Sequence, residues 1–122
     1  MNDRKHLKFI DSLICVCCGR ENPTHHHLLR VQAKYYKPKE GEEDFLIPKY
    51  NQRGMGKKNP DMFTIPLCPR CHQMLHSDGN ERAFLAYCGI NNPEKFATSL
   101  YNITGNREKA IDLIKWARLG NV

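Results

Sequence analysis

Cys68-Pro69-Arg70-Cys71-His72-Gln73-Met74-Leu75-His76 is the stretch on which the fold of this chain turns. Cys68 and Cys71 form a tight knuckle of the kind that gives two thiolates to a tetrahedral zinc ion. Pro69 stands where a helix begins, because its missing N–H costs nothing in the first turn. A helix running from Pro69 to about His76 brings His72 and His76 onto one face, so the two imidazoles can bind one metal together.

Toward the N-terminus, Cys15-x-x-Cys18-Gly19 supplies the matching knuckle, with Gly19 able to take the positive φ that such a turn uses. Cys15, Cys18, Cys68 and Cys71 together meet the needs of a structural zinc site. Cys17 reads as a bystander, with a register in which it replaces Cys15 or Cys18 as the alternative. Between the knuckles lies His25-His26-His27. Side chains of a strand alternate faces, so of His26 and His27 one can ligate a metal while its neighbour points toward substrate. A zinc module that only holds structure needs the four cysteines and nothing more. The surplus imidazoles suit phosphodiester hydrolysis, in which a divalent ion stabilises phosphate charge and a neutral imidazole takes a proton from water.

Composition narrows the setting. At 122 residues the chain is long enough for one domain with one modest core. A formal charge of +6 and a pI near 9.1 favour a polyanionic partner, although a basic surface alone is weak evidence. No apolar run approaches the roughly 20 residues needed to span a bilayer. The opening Met1-Asn2-Asp3-Arg4-Lys5-His6 does not resemble a signal peptide, so a reducing cytoplasm is expected. There the six cysteines favour zinc over three disulfides. Cys88, in an apolar helical stretch, reads as a small core residue.

The order of elements predicts an α+β fold. Leu7, Ile10, Leu13 and Ile14 recur at helical spacing and predict an N-terminal helix within residues 1–14. Residues 15–78 form the knuckle-bearing core, with a strand from His25 to Val31 and another from Phe63 to Leu67. A polar, lysine-rich insertion at about 32–52 interrupts it and reads as a surface flap around an apolar island, Phe45-Leu46-Ile47. Residues 79–122 predict three helices, near Glu81–Cys88, Pro93–Ile103 and Arg107–Leu119. Asn92-Pro93-Glu94 is a well-formed helix start.

The combined string Cys-x-x-Cys-Gly, His-His-Leu, Gly-Met-Gly-Lys and Asp-x-x-x-x-Pro-Leu-Cys-x-x-Cys-His-x-x-x-His resembles the HNH endonucleases of the ββα-metal class. Small phage- and prophage-associated members with a Gly-Met-Gly turn are the most similar. The likeness covers roughly Leu7 to His76, with a looser likeness in Ala83-Phe84-Leu85 through Gly89-Ile90. It implies a small ββα-metal core stapled by a four-cysteine zinc site, between an N-terminal helix and a C-terminal helical extension. It further implies His27 as general base and His26, His72 and His76 as ligands of a catalytic divalent ion, whether Mg²⁺, Mn²⁺, Ni²⁺ or Zn²⁺. A one-residue shift, with His26 as base and His25 as ligand, is the competing register. DNA is the implied substrate, cut to leave a 5′-phosphate and a 3′-hydroxyl, with no membrane partner. A homodimer would ease a double-strand cut.

Two departures from the pattern stand out. Phe63 occupies the position of the family's middle asparagine. Asp61, two residues earlier and expected on the same strand face, is assigned that role, tying down the turn and the backbone of the base; Asn59 is second choice. The insertion is longer than in similar members. Arg53, Lys57 and Lys58, in the glycine-and-lysine turn, are candidates to hold phosphates by charge, against a plain solvated basic turn. The alternative function is a zinc-knuckle nucleic-acid-binding protein that does not cleave.

Overall fold

Helix α1 (Arg4–Asp11) begins at Asp3, whose side chain accepts a hydrogen bond from the His6 N–H at 3.0 Å. It buries His6, Phe9 and Ile10. The computed structural model describes residues 3–32, 50–52 and 59–121. The helix stops at Asp11, where the Ser12 hydroxyl donates to the Phe9 carbonyl at 2.6 Å. The expected helical stretch to residue 14 is therefore shortened. Leu13 is buried beyond the helix, and Ile14 forms an isolated bridge with Glu21 across the first cysteine knuckle.

Strand β1 (Thr24–His27) pairs antiparallel with a later strand, β4 (Thr64–Leu67). The register sets His25 against Pro66, His26 against Ile65 and His27 against Thr64. The single strand expected from His25 to Val31 is broken after His27. The Leu28 N–H still bonds in register to the Phe63 carbonyl at 2.9 Å, but the Phe63 N–H turns back to the Pro60 carbonyl and the Leu29 N–H to the Glu81 carboxylate at 2.9 Å, so the ladder ends there. Strand β2 (Arg30–Gln32) then starts a second small sheet with β3 (Tyr50–Gln52). The insertion's two ends are thus joined as an antiparallel pair, rather than both belonging to an open flap. Its interior, including Phe45-Leu46-Ile47, lies outside the described residues, as do Arg53, Gly54-Met55-Gly56, Lys57 and Lys58.

Asp61–Phe63 is a single 3₁₀ turn, closed by a hydrogen bond from the Phe63 N–H to the Pro60 carbonyl at 2.9 Å. This corrects the strand expected from Phe63, and with it the argument that Asp61 and Phe63 share a strand face. The strand begins one residue later, at Thr64, and all four of its residues are buried.

From β4 the chain passes through Cys68 into α2 (Pro69–Asp78), which Gly79 ends in the left-handed conformation with φ 78°. Helices α3 (Glu81–Tyr87), α4 (Pro93–Asn102) and α5 (Arg107–Trp116) follow. Asn80, Asn92 and Asn106 cap them through side-chain oxygens that accept the backbone N–H of the third residue of each helix. The last helix ends earlier than expected, and Ala117–Asn121 form one wide terminal turn. The fold is α+β.

The core is continuous, joining Ile10 and Leu13 to Leu28, Phe63, Ile65, Leu67, Leu75, Phe96 and Leu100. Helix α4 covers the 3₁₀ turn and β4, while α1 packs on both β1 and β4. Buried Glu94, in the first turn of α4, pairs with Arg82 of α3 and fixes one helix against the other. Cys88 is half-buried at the end of α3 instead of lying in this core. Among the described residues no helix is long and apolar enough to cross a membrane.

Candidate metal centre

Gly19 adopts φ 77°, which lets the first knuckle fold back so that its N–H donates to the Cys15 carbonyl at 2.9 Å. In the second knuckle the first turn of α2 plays the same part. The Sγ atoms of Cys15, Cys18, Cys68 and Cys71 lie within 4.8 Å of one another. Cys18 and Cys68 Sγ are 3.5 Å apart, near the edge of about 3.8 Å that Zn–S bonds of about 2.3 Å give a tetrahedron. Backbone N–H groups of Cys17 and Cys71 point at Cys15 and Cys68 Sγ, each at 3.4 Å. A hydrogen bond from the Cys17 thiol draws Cys15 down to about 3 against the opposing effect of burial. Burial, with the neighbouring thiols, pushes Cys18 and Cys71 up. A cation entering this cluster displaces the remaining thiol protons, and the donor set suits a metal such as zinc.

Strand alternation divides the three consecutive histidines. His25 and His27 share one face of β1, with rings edge-to-face at 5.8 Å. His25 reaches α1, where its Nδ1 meets Asp11 Oδ1 at 2.8 Å. His26 takes the other face and is buried. There its ring stands 5.0 Å from that of His72 and 5.9 Å from that of His76. One ligand nitrogen from each of His26, His72 and His76 falls in a group within 4.8 Å. His72 and His76 Nε2 are 3.1 Å apart, close to the roughly 3.3 Å spanned by two nitrogens on one tetrahedral zinc. Burial, reinforced by His26 and His76, lowers the pKa of His72 and favours the neutral form that binds metal. The histidine group therefore gathers His26 and leaves His25 with Asp11.

His27 makes a different contact. Its Nε2 lies 2.7 Å from Asp61 Oδ1, and the side chains are 10% and 9% exposed. Asp61 Oδ2 accepts the Asp3 N–H at 2.5 Å. Burial pushes the Asp61 carboxyl up, but the bonds from His27 and Asp3 outweigh it and leave the pKa below the usual carboxylate range. The backbone tie expected of Asp61 is made by Asn59 instead. The Asn59 side-chain amide, buried, donates to the Leu28 carbonyl, next to His27, at 2.6 Å. The 3₁₀ turn aims Asp61 at the ring, so the two roles are divided between two residues.

Three contributors escaped the sequence reading. Glu81, the first residue of α3, is buried and meets His26 Nε2 at 2.7 Å. An acid in a first helical turn is explained by the helix dipole, and no pattern links it to a histidine 55 residues earlier. Asp3 supports Asp61 through its backbone, which no side-chain motif encodes. His6, to which the sequence assigned no role, is wholly buried, with Nδ1 2.7 Å from Thr104 Oγ1 and its ring edge-on to Tyr101.

A family described as "Protein of unknown function (DUF968)" matches residues 36–91, less than half of the chain. That segment contains Asp61, Cys68, Cys71, His72, His76 and Glu81. The chain is also similar to "Uncharacterized protein YdfU" of Escherichia coli (strain K12), with 30% identity over 74 residues. The match takes in 61% of this chain but only 16% of that protein. No solved structure matches the chain.

Proposed function

We propose that this chain is a metal-dependent endonuclease of the HNH type that hydrolyses DNA phosphodiester bonds. The observation that carries the reading is the convergence of His26, His72 and His76 ligand atoms within 4.8 Å on a hairpin–helix unit. In this reading the four cysteines hold a structural zinc that staples the two knuckles. A divalent ion on the three imidazoles would stabilise the charge of the phosphate and of the leaving oxygen.

The chain's own groups supply the rest. Asp61 holds the Nε2–H of His27, which leaves the lone pair on Nδ1 and makes that nitrogen the base for the attacking water. Asn59 steadies the backbone just beyond it. The water oxygen bonds to phosphorus as one of its protons passes to His27, the bond from phosphorus to the 3′-oxygen breaks with the phosphate staying on the 5′ side, and the departing 3′-oxygen takes a proton from solvent to become the hydroxyl. The +6 charge favours a nucleic-acid polyanion, and Arg53, Lys57 and Lys58 are assigned to phosphate contacts. The chemistry belongs to a reducing cytoplasm, where the thiols stay available to zinc, and the resemblance points to phage or prophage DNA processing.

Supercoiled plasmid incubated with the protein and Mg²⁺, Mn²⁺ or Ni²⁺ tests the reading. Nicking is expected with at least one ion, leaving 5′-phosphate ends, and His27→Ala should slow it by about 10²–10⁴-fold. Absence of cutting with every ion overturns the enzyme. A second reading, nucleic-acid binding through the zinc knuckles without cleavage, is favoured by the same charge together with the low exposure of His27. DNA binding in a gel shift without cutting would select it.

A further inference from the structure

We infer that Glu81 is a positioning residue for the histidine metal site, setting the tautomer and orientation of His26. The inference rests on the metal reading above and adds to it a residue outside the hairpin–helix unit. Glu81 Oε2 lies 2.7 Å from His26 Nε2, and both side chains are almost fully buried, at 6% and 3% exposure. The same carboxylate accepts the Leu29 N–H at 2.9 and 3.1 Å. One buried acid therefore ties the end of β1 to the corner between α2 and α3.

The chemistry follows from what each partner can donate. A carboxylate only accepts, so the proton of neutral His26 lies on Nε2 and the lone pair on Nδ1. Nδ1 is then the nitrogen His26 offers to a cation, alongside His72 and His76. Carboxylates that hold the far nitrogen of a ligating histidine fix its ring and raise its basicity. Gly79 and Asn80 place Glu81 for this task, since Gly79 ends α2 and Asn80 caps α3 immediately before it.

Substitution separates positioning from simple support. In Glu81→Gln the amide oxygen can still accept from Leu29, while the amide N–H₂ donates to His26 Nε2 and moves the ring proton to Nδ1. In Glu81→Ala the Leu29 N–H loses its partner, but the His26 tautomer is unconstrained. The 122-residue chain, with zinc in the cysteine cluster, is titrated with Ni²⁺ by calorimetry; zinc content is assayed before and after, and melting is recorded without nickel. Glu81→Gln is expected to weaken nickel binding by about 10–100-fold, more than Glu81→Ala, with zinc retained. Glu81→Ala is expected to lower the melting temperature more. Nickel affinity in Glu81→Gln within about twofold of the parent overturns the inference. So does a loss of affinity that tracks melting temperature across both variants. If the parent itself takes no nickel at the histidines, the metal reading falls and the role of Glu81 falls with it.

Discussion

Asp61 joins three parts of the molecule, through the His27 ring, the Asp3 N–H and its own place in the 3₁₀ turn. Its pKa is lowered on folding, so these bonds stabilise the protein while the carboxylate is ionised. That contribution is complete above the unfolded pKa of about 4 and is lost as pH falls through the lower folded value. Melting temperature measured against pH should therefore drop on the acid side, and Asp61→Asn should flatten that part of the profile. An unchanged profile would show that Asp61 does not link folding to protons. The identity of these residues was legible in part. Asp61 stood out because Phe63 cannot do the work of a polar residue, but its target was not legible. A strand would have sent it toward the backbone of the base, whereas the 3₁₀ turn sends it to the ring and leaves Asn59 to hold Leu28. Glu81 was hidden for another reason: its partner lies on a different element, and pairing across 55 residues leaves no local trace.

Helix α2 ties the cysteine group to the histidine group, because Cys71 and Leu75 face inward while His72 and the exposed His76 lie toward its outer side. Leu75 is 1% exposed and anchors the half of the helix that carries His76. Leu75→Ala should destabilise the protein by about 2–5 kcal/mol, read from denaturant unfolding, as expected for a fully buried leucine. A cost under about 1 kcal/mol would mean that the knuckle alone sets the helix. The helix itself was legible from Pro69 at its start, although it runs two residues beyond His76 to Asp78, and of the later caps Asn92 was legible while Asn80 and Asn106 were not. The strands were less so. Hydrophobic content marked His25 to Val31 as extended, but the break at Leu28 and Leu29 depends on Phe63 and Glu81, both distant in sequence. The pairing of β3 with β2 was concealed in the same way, by a polar insertion with no alternation to read.

For the whole molecule, the cysteine cluster closes the chain between Cys15–Cys18 and Cys68–Cys71, and the hairpin that carries His26 and His27 lies inside that loop. Metal binding to such a cluster is coupled to folding. Stripping zinc with a strong chelator, or replacing Cys71 by Ser, should lower the melting temperature sharply and abolish a cooperative transition near the native one. Retention of the native transition would show that the apolar core suffices. The charge of +6 carries a separate consequence: affinity for DNA should fall as salt rises, with a linear slope of log K on log salt.

We propose that two separate ions are held, one by thiolates and one by imidazoles. Anomalous diffraction at the zinc and nickel absorption edges, from crystals of the full chain loaded with both metals, tests it most directly. The account predicts a zinc peak among the Sγ atoms of Cys15, Cys18, Cys68 and Cys71, and a distinct nickel peak among the nitrogens of His26, His72 and His76. A histidine group without an ordered ion at saturating nickel, or a single ion shared by cysteines and histidines, would contradict it.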